Sequence, residues 1–168
     1  MRLRSPLWGY VIFIVVVFIL AILIPVSKKS KAVVHQVVCE TNLKVMMTSL
    51  AVYMNDYDQK FPTAKQWCDL LIEKGAVPPG SFRCPESSDT EFAYAINKSL
   101  YEIEPGKVPS QMVVLFEANL GRNGVGGLND VVFRHEQNGK LGCNITFVDG
   151  HTEFVTEDRI AELKWTVE

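Results

Sequence analysis

One stretch constrains this chain more than any other. Leu7 to Ile24, LWGYVIFIVVVFILAILI, is 18 residues without a charge. As a helix rising 1.5 Å per residue it is about 27 Å long, close to the hydrocarbon thickness of a bilayer. The run is apolar on every face and has no period, unlike a core helix with its single apolar stripe. Ser5-Pro6 suits an N-cap and first turn. Trp8 and Tyr10 suit one membrane interface, and Lys28, Lys29 and Lys31 the other. A cleaved secretory signal would have an apolar core of ~7–15 residues followed by a small-x-small site. This run is longer, and Ile24-Pro25-Val26-Ser27-Lys28 is a poor site of that kind. The expectation is therefore an uncleaved single-pass anchor over residues 1–31, with the lipid bilayer as its partner. Arg2, Arg4 and the amino terminus balance the three lysines, so the positive-inside rule leaves the orientation open.

Charge separates this segment from the rest. Residues 1–31 hold five basic side chains and no acid, so residues 32–168 hold all 19 acids against 12 Lys and Arg, a net charge of −7. A globular part of that sign repels phosphate backbones and argues against nucleic-acid binding. Its apolar and charged content, 48% and 21% over the whole chain, is that of a folded domain rather than a disordered one.

From Lys28 to Asp58 there is no Gly and no Pro. Val33/Val34, Val37/Val38, Leu43, Met46/Met47, Leu50/Ala51, Met54 and Tyr57 recur at spacings of three to four, an apolar stripe on a helix. Only Pro25 interrupts the path from the apolar run, so the simplest reading is one helix of about 50 residues and about 75 Å, with Pro25 a candidate kink. Phe61-Pro62 ends it. Thr63-Ala64-Lys65-Gln66 reads as a capping box, predicting a second helix to Lys74 that stops at Gly75. Val77-Pro78-Pro79-Gly80 is a turn. Strands are predicted over Phe92–Ile96, Met112–Ala118, Val131–His135, Cys143–Asp149 and Thr152–Val155. Met112–Phe116, apolar throughout, is expected to be central and to pack against Met47, Leu50 and Met54. Asp149-Gly150 predicts a two-residue hairpin, Asn138-Gly139 is a second turn signal, and Thr156 could cap a last short helix with Ile160, Leu163 and Trp165 inward. The order is α+β, a long helix on a small antiparallel sheet over residues 32–168.

These residues resemble a known family. An apolar segment ending in Ile24-Pro25, a basic patch, Cys39-Glu40-Thr41-Asn42-Leu43-Lys44, Tyr53-Met54-Asn55-Asp56-Tyr57 and Phe61-Pro62 together resemble bacterial pseudopilins, especially prepilin-like proteins similar to the major pseudopilin of type II secretion. Arg134-His135 followed by Phe147-Val148-Asp149-Gly150-His151 matches the C-terminal pattern of such proteins. The resemblance implies a pilin-like fold and a non-enzymatic structural subunit of a type II secretion or type IV pilus-like apparatus. Its partners would be other pseudopilin-like or secretion-apparatus proteins, and it would lie in the bacterial inner membrane with its head in the periplasm. Two features depart from the family: 13 residues separate His135 from Asp149, and Met1–Tyr10 contains no Glu, with Gly9 inside the apolar run. A non-polymerising extracytoplasmic binding or adaptor module is the alternative that the missing Glu supports.

The candidate chemistry is sparse. His135, Asp149 and His151 are residue types that bind zinc, yet Asp149-Gly150 is also what a type I′ turn requires. The loop Asn119–Asp130 is Gly-rich but lacks the Lys-Ser/Thr of a P-loop, and its bland reading is a flexible connection. Asn129 and Asp130 with loop carbonyls are candidate calcium ligands, and some similar pseudopilins bind calcium in their C-terminal loop. No other cofactor is expected. Four cysteines allow three complete pairings. A Cys68–Cys84 bridge would close a loop of about 15 residues, worth roughly 3 kcal/mol, leaving Cys39 and Cys143 as buried thiols. Asn97-Lys98-Ser99 and Asn144-Ile145-Thr146 match the glycosylation sequon, with Asn144 in a predicted strand.

Overall fold

The computed structural model describes residues 7–57, 60–74, 77–87, 90–101 and 103–167; the side chains of residues 7, 22–29, 64 and 105 also lie outside the described residues. The chain divides into two units, Met1–Val34 and His35–Glu168. Helix α1, Leu7–Asp56, is continuous over 50 residues and enters both.

In the first unit the described side chains of α1 from Trp8 to Ala21 are all exposed. The expected membrane anchor is not supported, because among the described residues no helix is long and apolar enough to cross a membrane. Trp8 to Ala21 amounts to about 21 Å of helix, against the ~30 Å of a hydrocarbon core. The side chains of Leu7, residues 22–24 and Pro25, on which the rest of the span and the kink were read, lie outside the described residues. The single-pass inner-membrane localisation is corrected with the anchor.

In the second unit α1 buries Cys39, Leu43, Met46, Met47, Leu50 and Met54, at the three-to-four spacing of one helix face. The face begins one turn later than the valines suggested, for Val33, Val34, Val37 and Val38 are exposed and Gln36 is buried. Helix α2, Trp67–Glu73, follows a 3₁₀ turn over Ala64–Gln66. Thr63 makes no side-chain cap, so the capping box does not form, and Gly75 lies outside the described residues.

Among the described residues six strands form one sheet: β1 Tyr94–Asn97, β2 Val113–Glu117, β3 Val125–Gly126, β4 His135–Gln137, β5 Lys140–Phe147 and β6 Thr152–Thr156. Their order is β3-β1-β2-β5-β4, with β6 also on β5. The α+β class stands, but the sheet is mixed, because β3 runs parallel to β1. The strand predicted over Val131–His135 is displaced: Val131 makes a single bridge to Ala118, and β4 starts at His135. β2 is buried along its whole length, as its unbroken apolar run predicts. Val114 and Leu115 join the core beneath α1, whereas Phe116 packs in a second cluster with Ile145, Val155, Ile160 and Trp165. The expected contact between the α1 stripe and Phe116 is therefore corrected; that ring meets Trp165 edge-on at 5.2 Å.

The two-residue hairpin geometry lies at Asn138-Gly139 and not at Asp149-Gly150. Asn138 (φ 53°) and Gly139 (φ 78°) are both left-handed between paired Gln137 and Lys140, the two-residue geometry expected at Asp149-Gly150. Between Thr146 and Thr152 the connection is longer, Phe147 N–H donates to His151 O at 3.0 Å, and only Gly150 (φ 90°) takes positive φ.

The register of β5 creates a gap. Lys140–Gly142 pair with β4 and Ile145–Phe147 with β2, while β6 pairs with Gly142–Thr146. Since a strand has two edges, β4 and β2 share the one opposite β6, and neither covers Cys143 and Asn144 on that side. Gly142 at this junction has no room for a side chain, since a Cβ would run into the Val155 carbonyl oxygen and the Phe154 ring.

Candidate functional site

The candidates read from sequence do not converge. Asp149 and His151 form an exposed pair 2.5 Å apart, and the His151 ring stacks on Phe147 with centroids 4.2 Å apart. Desolvation pushes the Asp149 carboxyl upward, but hydrogen bonds from the His151 ring and backbone outweigh it and hold the group below the usual carboxylate range. His151 also lines an open cleft of about 580 Å³ with Glu153, Arg159 and Lys164. His135 is buried elsewhere, in β4. Asp130 Oδ2 accepts from Gly127 N–H at 2.9 Å, a local turn contact, and Asn129 stands beside it in a 3₁₀ turn. Both sequon asparagines, Asn97 and Asn144, are buried.

The Gly-rich loop is a clasp rather than a loose connection. Asn123, left-handed at φ 56°, accepts at Oδ1 from Cys68 N–H (2.8 Å) and Asp69 N–H (3.3 Å) and donates from Nδ2 to Asp69 Oδ2 at 2.7 Å. Arg122 pairs with Asp69, its Nε 2.6 Å from Oδ1, and Trp67 Nε1–H donates to Gly124 O at 3.0 Å. The loop thereby satisfies N–H groups at the start of α2 that no cap of its own serves. The Asn123 amide first, and Arg122 second, hold the Asp69 carboxyl below its ordinary value.

Sequence reading missed the principal polar cluster. Glu117 ends β2 fully buried, and its Oε1 accepts from Asn144 N–H at 3.1 Å and Asn144 Nδ2 at 2.8 Å. The carboxylate thus fills the gap between β2 and β4 along β5. Arg134 Nη1 lies 3.6 Å from Glu117 Oε2, and its Nη2 donates to Ala118 O at 3.0 Å and to the Asn119 side chain. Among the described residues Glu117 Oε2 and Asn144 Oδ1 have no hydrogen-bond partner. Only the Arg-His pair hinted at this seam; its members are dispersed in sequence, and polar residues ordinarily face water.

His135 joins the seam to two cysteines. Its Nε2 is 3.2 Å from Glu117 Oε1 and 3.7 Å from Cys84 Sγ. Cys84 is bonded to Cys39, with Cα atoms 5.5 Å apart, so the expected Cys68–Cys84 bridge is corrected to one spanning 45 residues. Helix α1 and the segment before Pro85 bring those cysteines together, while Cys68 and Cys143 are free and buried. Burial pushes the Cys68 thiol up to about 12 and also raises Cys143, which marks both as inert packing groups rather than nucleophiles. Among the described residues, the His, Cys and carboxylate ligand atoms that come together are those of Cys39, Cys84 and His135, all within 4.8 Å and all buried. As a disulfide beside an imidazole the group can exchange electrons with thiols; as two thiolates and an imidazole it can ligate a metal. No protein-family model, curated protein or solved structure matches the chain.

Proposed function

We propose that this chain is a pseudopilin-like structural subunit, with a pilin-like fold, that assembles with further copies through the apolar part of α1. The carrying observation is the contrast along that helix. Trp8, Phe13 and Phe18 are 68%, 67% and 66% exposed, whereas Leu43, Met46 and Leu50 are fully buried. An uninterrupted exposed apolar run is a binding surface in search of an apolar partner, and identical helices satisfy one another by lateral packing. The residue patterns shared with pseudopilins and the α+β head support the same reading, as partners of which other pseudopilin-like or secretion-apparatus proteins come next.

The experiment is electron microscopy and light scattering of the purified full chain over a range of concentrations. The expected result is ordered filaments or discrete oligomers, abolished by Ile14→Lys with Phe18→Lys and unaffected by Val52→Lys. A chain that stays monomeric with Trp8–Ala21 intact would favour the non-polymerising binding module, to which the absence of Glu from Met1–Tyr10 points. Amorphous aggregation alone would overturn the assembly reading.

A further inference from the structure

We propose that Cys39, Cys84 and His135 are a zinc site that exists when the Cys39–Cys84 disulfide is reduced. The two Sγ atoms and the imidazole nitrogen already lie within 4.8 Å of one another, supplied by α1, the segment before Pro85 and β4. A tetrahedral zinc with Zn–S near 2.3 Å and Zn–N near 2.0–2.1 Å separates adjacent sulfur and nitrogen ligands by about 3.6 Å. The observed Nε2 to Cys84 Sγ separation is 3.7 Å, so this edge of the tetrahedron is preformed. Parting Cys39 Sγ from Cys84 Sγ on reduction opens the second edge, which side-chain rotation accomplishes at a Cα separation of 5.5 Å.

Two further observations bear on the site. Glu117, fully buried, places Oε1 3.2 Å from the same His135 nitrogen and leaves Oε2 without a hydrogen-bond partner among the described residues. Oε2 also faces Arg134 Nη1 at 3.6 Å, so the carboxylate, shared with that guanidinium, orients the imidazole of the Cys₂His set rather than binding the ion itself. Val38, Arg83 and Pro85, each next in sequence to one of the two fully buried cysteines, line a cavity of about 420 Å³ with Asn42, and a reductant reaches the disulfide only when that wall parts.

The chemistry balances with an external dithiol as reductant. Its two electrons and two protons pass to Cys39 and Cys84 Sγ as the S–S bond breaks, and the dithiol closes to its own disulfide. Zn²⁺ then displaces the two thiol protons into solvent, leaving two thiolates and a neutral imidazole on the metal. A disulfide oxidant reverses the exchange and expels Zn²⁺. Thiolate and imidazole ligands select zinc over magnesium or calcium.

The test uses the full chain, oxidised and dithiol-reduced, with the dithiol removed under anaerobic conditions before Zn²⁺ is added. The expected result is one Zn²⁺ per reduced chain and none per oxidised chain. Co²⁺ substituted for zinc should show thiolate-to-metal charge-transfer absorption. His135→Ala should weaken binding by roughly tenfold or more, Cys39→Ser with Cys84→Ser should abolish it, and Cys68→Ser with Cys143→Ser should retain it. Circular dichroism accompanies each measurement. A reduced wild-type chain that stays folded without binding zinc overturns the proposal, as does one that unfolds before it binds. Binding that survives loss of Cys39 and Cys84 also overturns it.

Discussion

A carboxylate, an arginine and an asparagine occur together twice among the described residues, and solvent sets the two clusters apart. In the clasp, Asp69, Arg122 and Asn123 hold the Gly-rich loop to the start of α2, and the charged side chains are 37% and 57% exposed. In the seam, Glu117, Arg134 and Asn144 fill the gap between β2 and β4, and the charged side chains are 0% and 6% exposed. The hydrogen-bonding groups are the same; what differs is whether water can replace a lost partner. At the exposed Asp69–Arg122 pair of the clasp it can, so that ion pair is worth little net. In the seam a vacated partner leaves a buried group unsatisfied, and the full desolvation cost is felt.

The sharpest way to break this contrast is Glu117→Leu, which removes the acceptor for Asn144 N–H and leaves the Arg134 charge buried alone. The expected loss is ~3–5 kcal/mol in urea unfolding of the full chain. A loss below about 1 kcal/mol would mean that Arg134 reaches water, and the two clusters would then be of one kind. Asn123→Ala ranks next, at about 1–2 kcal/mol, because two N–H groups of α2 lose their acceptor. Asn123→Gly restores the left-handed backbone without the amide, so the difference between the variants separates capping from φ. Smallest is Asp69→Asn, expected to cost under about 0.5 kcal/mol and to shrink further in salt.

Acid sharpens the comparison. The Asp69 carboxyl is held below its ordinary value in the folded chain. Its contribution is therefore fully present above the unfolded value, about 3.9, and is lost as pH falls through the lower folded value. The stability gap between wild type and Asp69→Asn should close on acidification below about pH 4. A gap unchanged between pH 7 and pH 3 would show that the Asp69 charge contributes nothing.

Legibility in the sequence followed the range of the forces involved. Periodicity found α1 and the all-apolar β2, because each pattern repeats within a few residues. It could not find β3, whose two residues have no period and are a strand only because Ile96 and Asn97 lie beside them. Val131–Phe133 looked like a strand because it is apolar, but its place beside Ala118 gives it one bridge. Turn chemistry located both hairpins but put the two-residue geometry at Asp149-Gly150, since it and Asn138-Gly139 are alike as dipeptides and only strand register distinguishes them. The candidate site was least visible. Cys39 and Cys84 are 45 residues apart, and loop length alone favoured the nearer Cys68. Glu117 follows an apolar run that gives no sign its carboxylate turns inward to meet β5.

The Cys39–Cys84 bond has a mechanical consequence. A chain gripped at its two ends and stretched transmits tension from residue 39 to residue 84 through one covalent link. The 44 residues between carry no load while it is intact. They include all of α2 and the start of the path to the sheet. At full extension the oxidised chain is shorter than the reduced one by roughly 150 Å, so one bond decides whether the slack held in residues 40–83, from the last turns of α1 through α2, is available to a pull on the molecule.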